Sequence, residues 1–468
     1  MRCPAGSCGA PSRHRGEPGD VGARPVTQQQ DPTETTGVGG PGGRGAGAIP
    51  PRGLRHALRA FRHRDFAIFW TGALASNTGS WVQNLTVPYV LYQLTESAFW
   101  VGLATFTQFI PVMLLGPLAG SIADRFDRRR VLFTTQSLMA LAALALWAAW
   151  VADVRSPVAI LALVALSGLL AGINIPSWQS FVNDLVPRDD LLSAVTLNSL
   201  QFNAARAIGP GIAGILLATL GPGWAFFLNA TSFVFVLGAL ALVRTRQEAR
   251  SAPLTGGFLR QFRRAMRYTR QSPGILVGIV VAVLVAALGN PVFQFTVVFT
   301  AEVFSVGPLG LSMLNVALGV GAVLAAPVVS GWDATFSRAT LARWALLVYG
   351  AALVVFAVAP GYVVGLLALV VVGGGFLVVI SATNTSVQVI VADHMRGRVM
   401  ALRIMAFTGA YPIGALLQGV ISDRVGPRPT VAGAGLLIVA AAVWLWTRPA
   451  LMAHLDDPHD ETVGEAGA

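Results

Sequence analysis

The chain of 468 residues is 54% hydrophobic and only 12% charged, and its formal net charge at pH 7 is +11. With a mean hydropathy of +0.63, it lies outside the composition of water-soluble globular domains and is predicted to be an integral membrane protein. All 33 basic residues are arginines, and they lie between apolar runs, which argues against a nucleic-acid partner. The two cysteines, Cys3 and Cys8, precede the first apolar run and carry no redox argument.

Residues 1–60 are rich in glycine, proline and arginine and almost free of large apolar residues. Such a segment buries too little apolar surface to fold, so a disordered basic tail is expected here. It lacks the apolar stretch of a secretory signal peptide, so no cleaved signal is predicted. At the other end, residues 449–468 are predicted to form an acidic tail.

Twelve apolar runs follow the basic tail, and each is long enough to cross about 30 Å of hydrocarbon as a helix. They lie near residues 66–92, 100–120, 131–151, 156–180, 191–219, 223–243, 274–299, 306–329, 341–359, 361–388, 399–421 and 430–448. The longest polar interval, residues 244–273, separates the sixth run from the seventh and carries eight arginines. We predict a cytoplasmic basic linker here, with an amphipathic helix that places Phe258, Phe262 and Met266 on the lipid surface.

Arginines are unevenly divided between alternate loops. One side receives Arg125–Arg130, Arg188, Arg338 and Arg396–Arg398 together with the linker, whereas the other receives only Arg155, Arg424 and Arg428. Because short cytoplasmic loops carry an excess of basic residues, this asymmetry predicts a multi-pass protein of the cytoplasmic membrane with both termini inside the cell.

The two halves of the chain repeat one spacing. Gln179 is followed by Asp184 in the first half, and Gln388 is followed by Asp393 in the second, each pair at the end of the fourth run of its half. The spacing predicts two pseudo-symmetric six-helix bundles, residues 61–243 and 274–448, in an all-α membrane protein with twelve transmembrane helices.

A dense charged stretch, GPLAGSIADRFDRRR, spans Gly116 to Arg130 between the second and third runs. Its Gly120, Asp124, Arg125, Arg128 and Arg129 resemble the signature loop of the major facilitator superfamily, at the same place in the helix count. Asp127 stands where the family usually has glycine, and aspartate tolerates the left-handed turn that glycine would favour. The resemblance implies the major facilitator fold, in which two bundles rock about a midplane cavity.

The resemblance also implies contacts at the cytoplasmic end. In the family, the signature aspartate meets the start of the eleventh helix, where the helix dipole favours an anion, and an arginine pairs with an acid at the end of the fourth helix. In this chain, the resemblance implies that Asp124 contacts the start of the eleventh helix near Arg398 and that Arg128 pairs with Asp184. The proposed latch residues are Gly120, Asp124, Arg125, Arg128, Arg129, Asp184 and Asp393. The alternative is that these charges only set topology.

A second, partial copy of the signature follows the eleventh run. It consists of Gly419, Asp423, Arg424, Gly426 and Arg428. Helix parity places it outside the cell, where the signature does not belong, so the sequence favours no functional role for it.

Arg206 lies in the middle of the fifth run, where a charge costs a few kcal/mol unless it faces a cavity or a partner. Immediately after it, Gly209, Pro210 and Gly214 resemble the antiporter motif in the fifth helix of drug exporters. Ala213 and Ala205 replace two glycines of that motif, so the match is partial. The alternative is a kink with close helix packing.

Polar amides concentrate in the first, fourth, fifth, seventh and tenth runs. In the major facilitator fold the first, fourth, seventh and tenth helices line the cavity, so the resemblance implies a substrate cavity there. The candidates are Asn77, Gln83, Asn84, Gln108, Asn174, Asn203, Arg206, Asn290, Gln294, Asn384 and Gln388. Each amide has an alternative role as a hydrogen bond between helices.

Carboxylates are missing from the middle of every run. Proton coupling therefore requires titration of Asp124, Asp184 or Asp393, or an acidic substrate paired with Arg206. The sequence has no phosphate-binding glycine loop, no metal-ligand cluster and no nucleophile with a base. We expect no cofactor, no metal and no enzymatic activity, with the proton gradient as the energy source.

Residues 61–130 resemble more closely the bacterial group of enterobactin exporters, macrolide efflux proteins and transmembrane secretion effectors. The residues that carry this resemblance are Phe66, Trp70, Gly79, Trp81, Tyr92, Gln93, Leu94, Thr95, Ser97, Gln108, Pro111 and the signature loop. It implies export of small amphipathic molecules such as drugs, macrolides or siderophores, and we expect a monomer coupled to proton entry. The alternatives are an uptake carrier, a lysophospholipid flippase of the same fold, or a membrane sensor that does not transport.

Overall fold

The computed structural model describes residues 58–244, 258–331 and 337–456. Most of the predicted basic tail, the first part of the linker and the acidic end of the chain lie outside the described residues. Within them, every regular element is a helix. The prediction of an all-α protein is confirmed.

Twelve long helices follow one another along the described chain. They are α1 (Arg64–Thr95), α2 (Ala98–Arg125), α3 (Arg128–Val151), α4 (Pro157–Asp184), α5 (Leu191–Thr219), α6 (Pro222–Leu242), α7 (Pro273–Val303), α8 (Pro308–Gly331), α9 (Arg338–Val358), α10 (Tyr362–Ile390), α11 (Asp393–Val425) and α12 (Pro427–Trp446). Among the described helices, ten are long and apolar enough to cross a membrane, and α1 and α5 are the two long helices outside that set. At 32 and 29 residues, both still exceed the length of a bilayer core.

Local sequence explains where several helices begin. The side chain of Ser156 accepts a hydrogen bond from the Ala159 backbone amide at the start of α4, and Ser337 caps α9 in the same way. Asp127 caps α3 by accepting from the Arg130 amide at 2.8 Å. The aspartate that departs from the family signature therefore satisfies one of the free amides at a helix start.

The seventh helix is irregular. Its two α-helical segments, Pro273–Leu284 and Val292–Val298, are each followed by one π-helical segment, Val285–Gly289 and Phe299–Val303. Pro291 lies just after the first π segment, where its ring removes a backbone donor. Irregular turns of this kind often occur near functional sites.

The helices form two bundles of six. In the first, α1 packs against α5 and α6, α2 against α4, and α3 against α4 and α6, while α8, α9, α10 and α12 pack together in the second. The bundles meet mainly where α2 crosses α11 and where α5 crosses α8. Small residues permit these approaches, since a Cβ on Gly102 of α2 would lie 2.5 Å from the Ala415 carbonyl oxygen of α11.

The linker contains a helix, Phe258–Gln271, which we call the linker helix. The prediction that its apolar side lies on lipid is wrong for Phe262 and Met266, because both pack against a buried protein cluster that includes Ile275 of α7 and Val391. The Tyr268 hydroxyl of this helix also receives a hydrogen bond from the Ala392 backbone amide. The linker helix is thus joined to the second bundle, and the side chain of Phe258 lies outside the described residues.

The ends of the bundles are named here from the predicted orientation. The predicted cytoplasmic end is where α1 starts and α2 ends, and the predicted outer end is where α1 ends and α2 starts.

Candidate functional site

A cavity of about 160 Å³ lies between the two bundles. It is lined from both sides by α1, α5, α7, α8 and α10. The lining residues are Trp81, Asn84, Leu85, Asn203, Arg206, Ala207, Pro210, Phe293, Gln294, Asn315, Leu318, Gly319, Ala322, Val323, Gly373, Phe376 and Leu377. We call this the central cavity. Its walls are mostly apolar and aromatic with a few amides, which is the composition of small-molecule sites.

A second cavity of about 330 Å³ adjoins the first within the amino-terminal bundle. Asn203 lines both, so the two spaces are neighbours. Its remaining lining residues are Asn77, Asn174, Ile175, Trp178, Gln179, Asn198, Ser199, Gln201 and Phe202. This polar space lies toward the predicted cytoplasmic end and forms an amide-rich approach to the central cavity.

Arg206 projects between the bundles. Its guanidinium carbon lies 4.7 Å from the centre of the Phe293 ring of α7 and 5.6 Å from that of Trp81 of α1. Contacts of this kind between a cation and aromatic faces stabilise the charge without neutralising it. Arg206 therefore faces a cavity, as its position within a membrane helix requires.

The predicted cavity amides separate into two groups. Asn77, Asn84, Asn174, Asn203 and Gln294 line one of the two cavities, and Gln108 donates to the Asn84 side-chain oxygen at 2.7 Å. Gln83, Asn290, Asn384 and Gln388 are not among the lining residues of either cavity. Asn229 donates to Gln83 and Arg403 donates to Asn384, so these two amides join helices, while Gln388 is exposed and Asn290 is buried.

The antiporter-like residues of α5 lie at helix crossings. A Cβ on Gly209 would collide with Trp81 of α1, and a Cβ on Gly214 would collide with Ser312 of α8. The Pro210 carbonyl accepts a 2.6 Å hydrogen bond from the Ser312 hydroxyl. The absence of side chains at these glycines therefore lets α5 lie close to α1 in its own bundle and to α8 in the other bundle.

Several contacts between the bundles lie at the predicted outer end, among the residues whose side chains the structure describes. The Tyr92 hydroxyl of α1 donates to the Glu302 carboxylate of α7 at 2.6 Å. Asp423 at the end of α11 accepts from the Ala98 backbone amide of α2 at 2.6 Å and from the Ser97 hydroxyl. Residues 210–214 of α5 touch residues 308–312 of α8. Apart from Pro210, the residues of these two helices that line the cavity lie on the cytoplasmic side of this contact. The central cavity is closed toward the predicted outer end.

At the predicted cytoplasmic end, Arg128 contacts Asp184 through a charge-assisted hydrogen bond, and it also donates to the Ser180 carbonyl at 3.0 Å. Arg129 donates to the Leu240 and Ala241 carbonyls at the end of α6. These contacts hold α3 to α4 and α6 within one bundle. Asp393 pairs with Arg396 of its own helix. The side chains of Gly120, Asp124 and Arg125 lie outside the described residues.

Sequence reasoning missed two features. Arg403 of α11 is buried and donates to the Asn384 side chain, the Thr383 hydroxyl and the Ile380 carbonyl of α10. Its position within an apolar run was the same signal that singled out Arg206. Glu302 escaped notice because it follows the seventh run, and only the contact with Tyr92 reveals it.

A helical membrane protein with two bundles about a central cavity has the architecture of a major facilitator transporter. A family model described as "Transmembrane secretion effector" matches residues 56–460. The chain belongs to this family of the major facilitator superfamily, and it is a multi-pass membrane transporter and not an enzyme.

Curated relatives cover most of the chain. The Staphyloferrin A transporter of Staphylococcus aureus is 25% identical, covering 76% of this chain and 89% of its own. Macrolide efflux protein A of Streptococcus pyogenes is 22% identical over 81% of this chain and 94% of its own. The multidrug efflux pump Tap of Mycolicibacterium fortuitum is 25% identical over 80% of this chain and 93% of its own.

Solved structures agree on the fold. A bacterial homologue of the human lysosomal transporter Spinster, captured inward-facing and unoccupied, has a TM-score of 0.66 at 15% identity and covers 85% of this chain and 97% of its own. A D-xylose-proton symporter has a TM-score of 0.62 at 14% identity, covering 84% of this chain and 98% of its own. At these identities the likeness establishes the fold alone.

Proposed function

We propose that the chain is a monomeric secondary exporter that moves a small amphipathic organic molecule out of the cytoplasm across the cell membrane. The observation that carries the proposal is the central cavity, which is bounded by both bundles and closed toward the predicted outer end. A substrate would enter from the cytoplasm or inner leaflet through the amide-rich second cavity. The names of the efflux relatives support the outward direction.

Alternating access follows from how the bundles meet. The contacts at the outer end join helices of different bundles, so breaking them would let the bundles rock apart there. At the cytoplasmic end, the latch residues would close the opposite state. The role we propose for Arg128 and Asp184 is to fix the start of α3 against the end of α4.

Proton entry is the energy source we propose, with no bound cofactor. Among the described residues, the acids nearest to contacts between the bundles are Glu302 and Asp423 at the outer end, and Asp184 lies beside the latch at the other end. The Glu302 and Asp423 contacts join the two bundles and would break when the outer end opens, whereas the Asp184 contact lies within one bundle.

The test is accumulation of macrolides, fluorescent drugs and a siderophore in a pump-deficient bacterium that expresses this chain, with and without a protonophore. Lower accumulation that the protonophore abolishes is the expected result. Unchanged accumulation of every compound, with the protein present in the membrane, would contradict export of these classes. Raised accumulation would instead identify an uptake carrier, and binding without movement in reconstituted vesicles would identify a sensor.

A further inference from the structure

The charge of the central cavity is unbalanced. Among its lining residues Arg206 alone carries a formal charge, and none is acidic. In an apolar space between helices, an isolated positive charge raises the affinity for anions and opposes the entry of cations, because the low dielectric weakens screening.

A comparison with Arg403 shows how unusual Arg206 is. Both arginines lie within membrane helices, but Arg403 makes hydrogen bonds to three protein groups of α10. Arg206 makes no ion pair or hydrogen bond with any residue that the structure describes, and its protein contacts are the faces of Phe293 and Trp81. A guanidinium has five N–H donors, and those of half-buried Arg206 remain available to a ligand in the cavity.

The surroundings define the rest of the ligand. Leu318, Ala322 and Phe376 provide apolar lining, and the Phe293 ring contacts both the Phe376 ring and the Arg206 guanidinium. Asn203, Gln294 and Asn315 add hydrogen-bonding groups. An elongated molecule with an anionic oxygen group at one end and an apolar or aromatic body fits this arrangement.

We infer that the substrate of this transporter is an amphipathic organic anion, whose carboxylate or equivalent oxygen group pairs with Arg206 while its body packs on Phe293 and Phe376. The inference rests on the proposed function, because it assigns the central cavity as the transport site. A planar guanidinium can bind both oxygens of a carboxylate at once, which adds geometric selectivity to the charge preference.

Three probes with the same aromatic body test the inference. 1-Naphthaleneacetic acid is an anion at pH 7.4, its amide is neutral, and 1-(aminomethyl)naphthalene is a cation. Calorimetric titration of each into the purified protein in lipid nanodiscs should give at least about tenfold tighter binding of the acid than of the amide, as expected for a charge-assisted pair. The amine should bind most weakly.

Variants identify the residue responsible. Arg206→Gln should reduce binding of the acid to the level of the amide and leave the amide unchanged, whereas Arg206→Lys should retain part of the preference. Arg343→Gln is the matched control, since this arginine also lies 5.6 Å from an indole, that of Trp446, but outside the cavity. Absent binding of the acid, equal affinities for acid and amide, or an equal loss for all three probes in Arg206→Gln would overturn the inference.

Transport of the same probes in proteoliposomes separates the two proposals. Anion-selective binding that depends on Arg206, without transport of any probe, would contradict the exporter and leave the anion site standing. Transport of the amine at the rate of the acid would support a transporter and refute the anion preference.

An independent observation concerns the outer end of the molecule. Asp423 accepts from the Ala98 backbone amide at 2.6 Å and from the Phe99 amide at 3.3 Å, so its carboxylate caps α2 of the other bundle. A Cβ on Gly419 would lie 2.7 Å from the Ala98 carbonyl oxygen, which explains the glycine four residues earlier. The partial second copy of the signature therefore contacts the start of α2.

The second copy also reproduces an arginine contact. Arg129, five residues after Asp124, donates to carbonyls at the end of α6. Arg428, five residues after Asp423, donates to the Ala359 carbonyl, just after the end of α9, at 3.0 Å. The three-helix units of this fold are related by inversion across the membrane, so the two copies occupy corresponding positions at opposite ends.

From this correspondence we infer that Asp423 is the main element of an outer latch, an inverted counterpart of the cytoplasmic signature that holds the outer end closed. The negative carboxylate interacts favourably with the positive end of the α2 dipole and satisfies its free amides. Helix parity favoured no functional role for this partial copy of the signature, and we now propose that it holds the outer end closed.

Distances across the outer end test the latch. Spin labels at Val154 and Pro360 lie on outer loops of different bundles and are both exposed. Asp423→Ala should move a substantial fraction of the molecules to longer distances, and Ser97→Ala should do so to a smaller extent. Glu96→Gln is the control, because this exposed outer acid caps no helix of the other bundle. Identical distance distributions in Asp423→Ala and the parent would overturn the latch.

Discussion

At the scale of single residues, the structure distinguishes charges that the protein satisfies from charges that it leaves for a ligand. Arg128, Arg129 and Arg403 all donate to oxygens of neighbouring helices, whereas Arg206 meets only aromatic faces and open space. Sequence alone could predict that Arg206 is special, because a charge deep in an apolar run needs an explanation. It could not predict which buried arginine has protein partners, because that depends on how α10 and α11 cross.

The Arg128–Asp184 pair should contribute measurably to stability. Their side chains are 12% and 23% exposed, so solvent screens the pair only in part. Replacing Asp184 with Asn should lower the free energy of unfolding by about 1–3 kcal/mol, less than for a fully buried pair. Asp393→Asn is the control, because the Asp393 side chain is 84% exposed and its pair with Arg396 contributes little. Equal thermal unfolding temperatures for the two purified variants would contradict the assignment.

Asp190, just before α5, contributes to folding stability in a pH-dependent way. A hydrogen bond from the His63 ring lowers the pKa of Asp190 most; desolvation opposes the shift, and Arg59 and Arg62 lower the pKa further. Because the folded-state pKa is below the ordinary carboxyl value, this stabilisation is present above about pH 4 and is lost as pH falls through the folded pKa. Asp190→Asn should therefore weaken the protein at neutral pH and flatten its unfolding temperature between pH 5 and pH 3. Unchanged pH profiles in this variant would contradict the contribution.

At the scale of helices, the sequence predicted the long elements well and their contacts poorly. Apolar runs locate α1 to α12 because each must cover a bilayer with its own backbone hydrogen bonds. The π segments of α7 and the protein contacts of the linker helix were not predicted. An amphipathic helix has the same sequence pattern whether its apolar face contacts lipid or protein. Only the folded structure shows which of the two the linker helix contacts.

Two glycines of α5 provide a matched test of the crossing with α8. A Cβ on Gly214 would collide with Ser312, whereas a Cβ on Gly211 would meet nothing within 4 Å. Alanine favours the helix by about 1 kcal/mol over glycine at either position. A difference between the two variants therefore comes from the contact between α5 and α8. Gly214→Ala should lower transport activity and shift the protein toward an open outer end, while Gly211→Ala should leave both unchanged or raise stability slightly. The same efflux rate in both variants would show that this contact does not govern closure.

At the scale of the whole molecule, the distribution of contacts describes one step of a transport cycle. The outer end is held by Tyr92 with Glu302, by Asp423 with the start of α2, and by Ser312 with Pro210. The central cavity lies on the other side of these contacts, beside the amides of α4 and α5. The repeated spacing in the sequence predicted two bundles, but which end is closed depends on contacts between residues more than 100 positions apart.

The most direct test of alternating access is the side from which the cavity can be reached. The only cysteines, Cys3 and Cys8, precede α1, so both can be replaced with serine and Asn203→Cys introduced in the wall shared by the two cavities. A membrane-impermeant maleimide should label this cysteine from the cytoplasmic face of inverted vesicles and leave it unlabelled in right-side-out vesicles. Adding Asp423→Ala should raise labelling in right-side-out vesicles, because a substantial fraction of the molecules then opens outward. Equal labelling from both faces in the parent, or no labelling from either face in any variant, would contradict a cavity that is closed toward the predicted outer end.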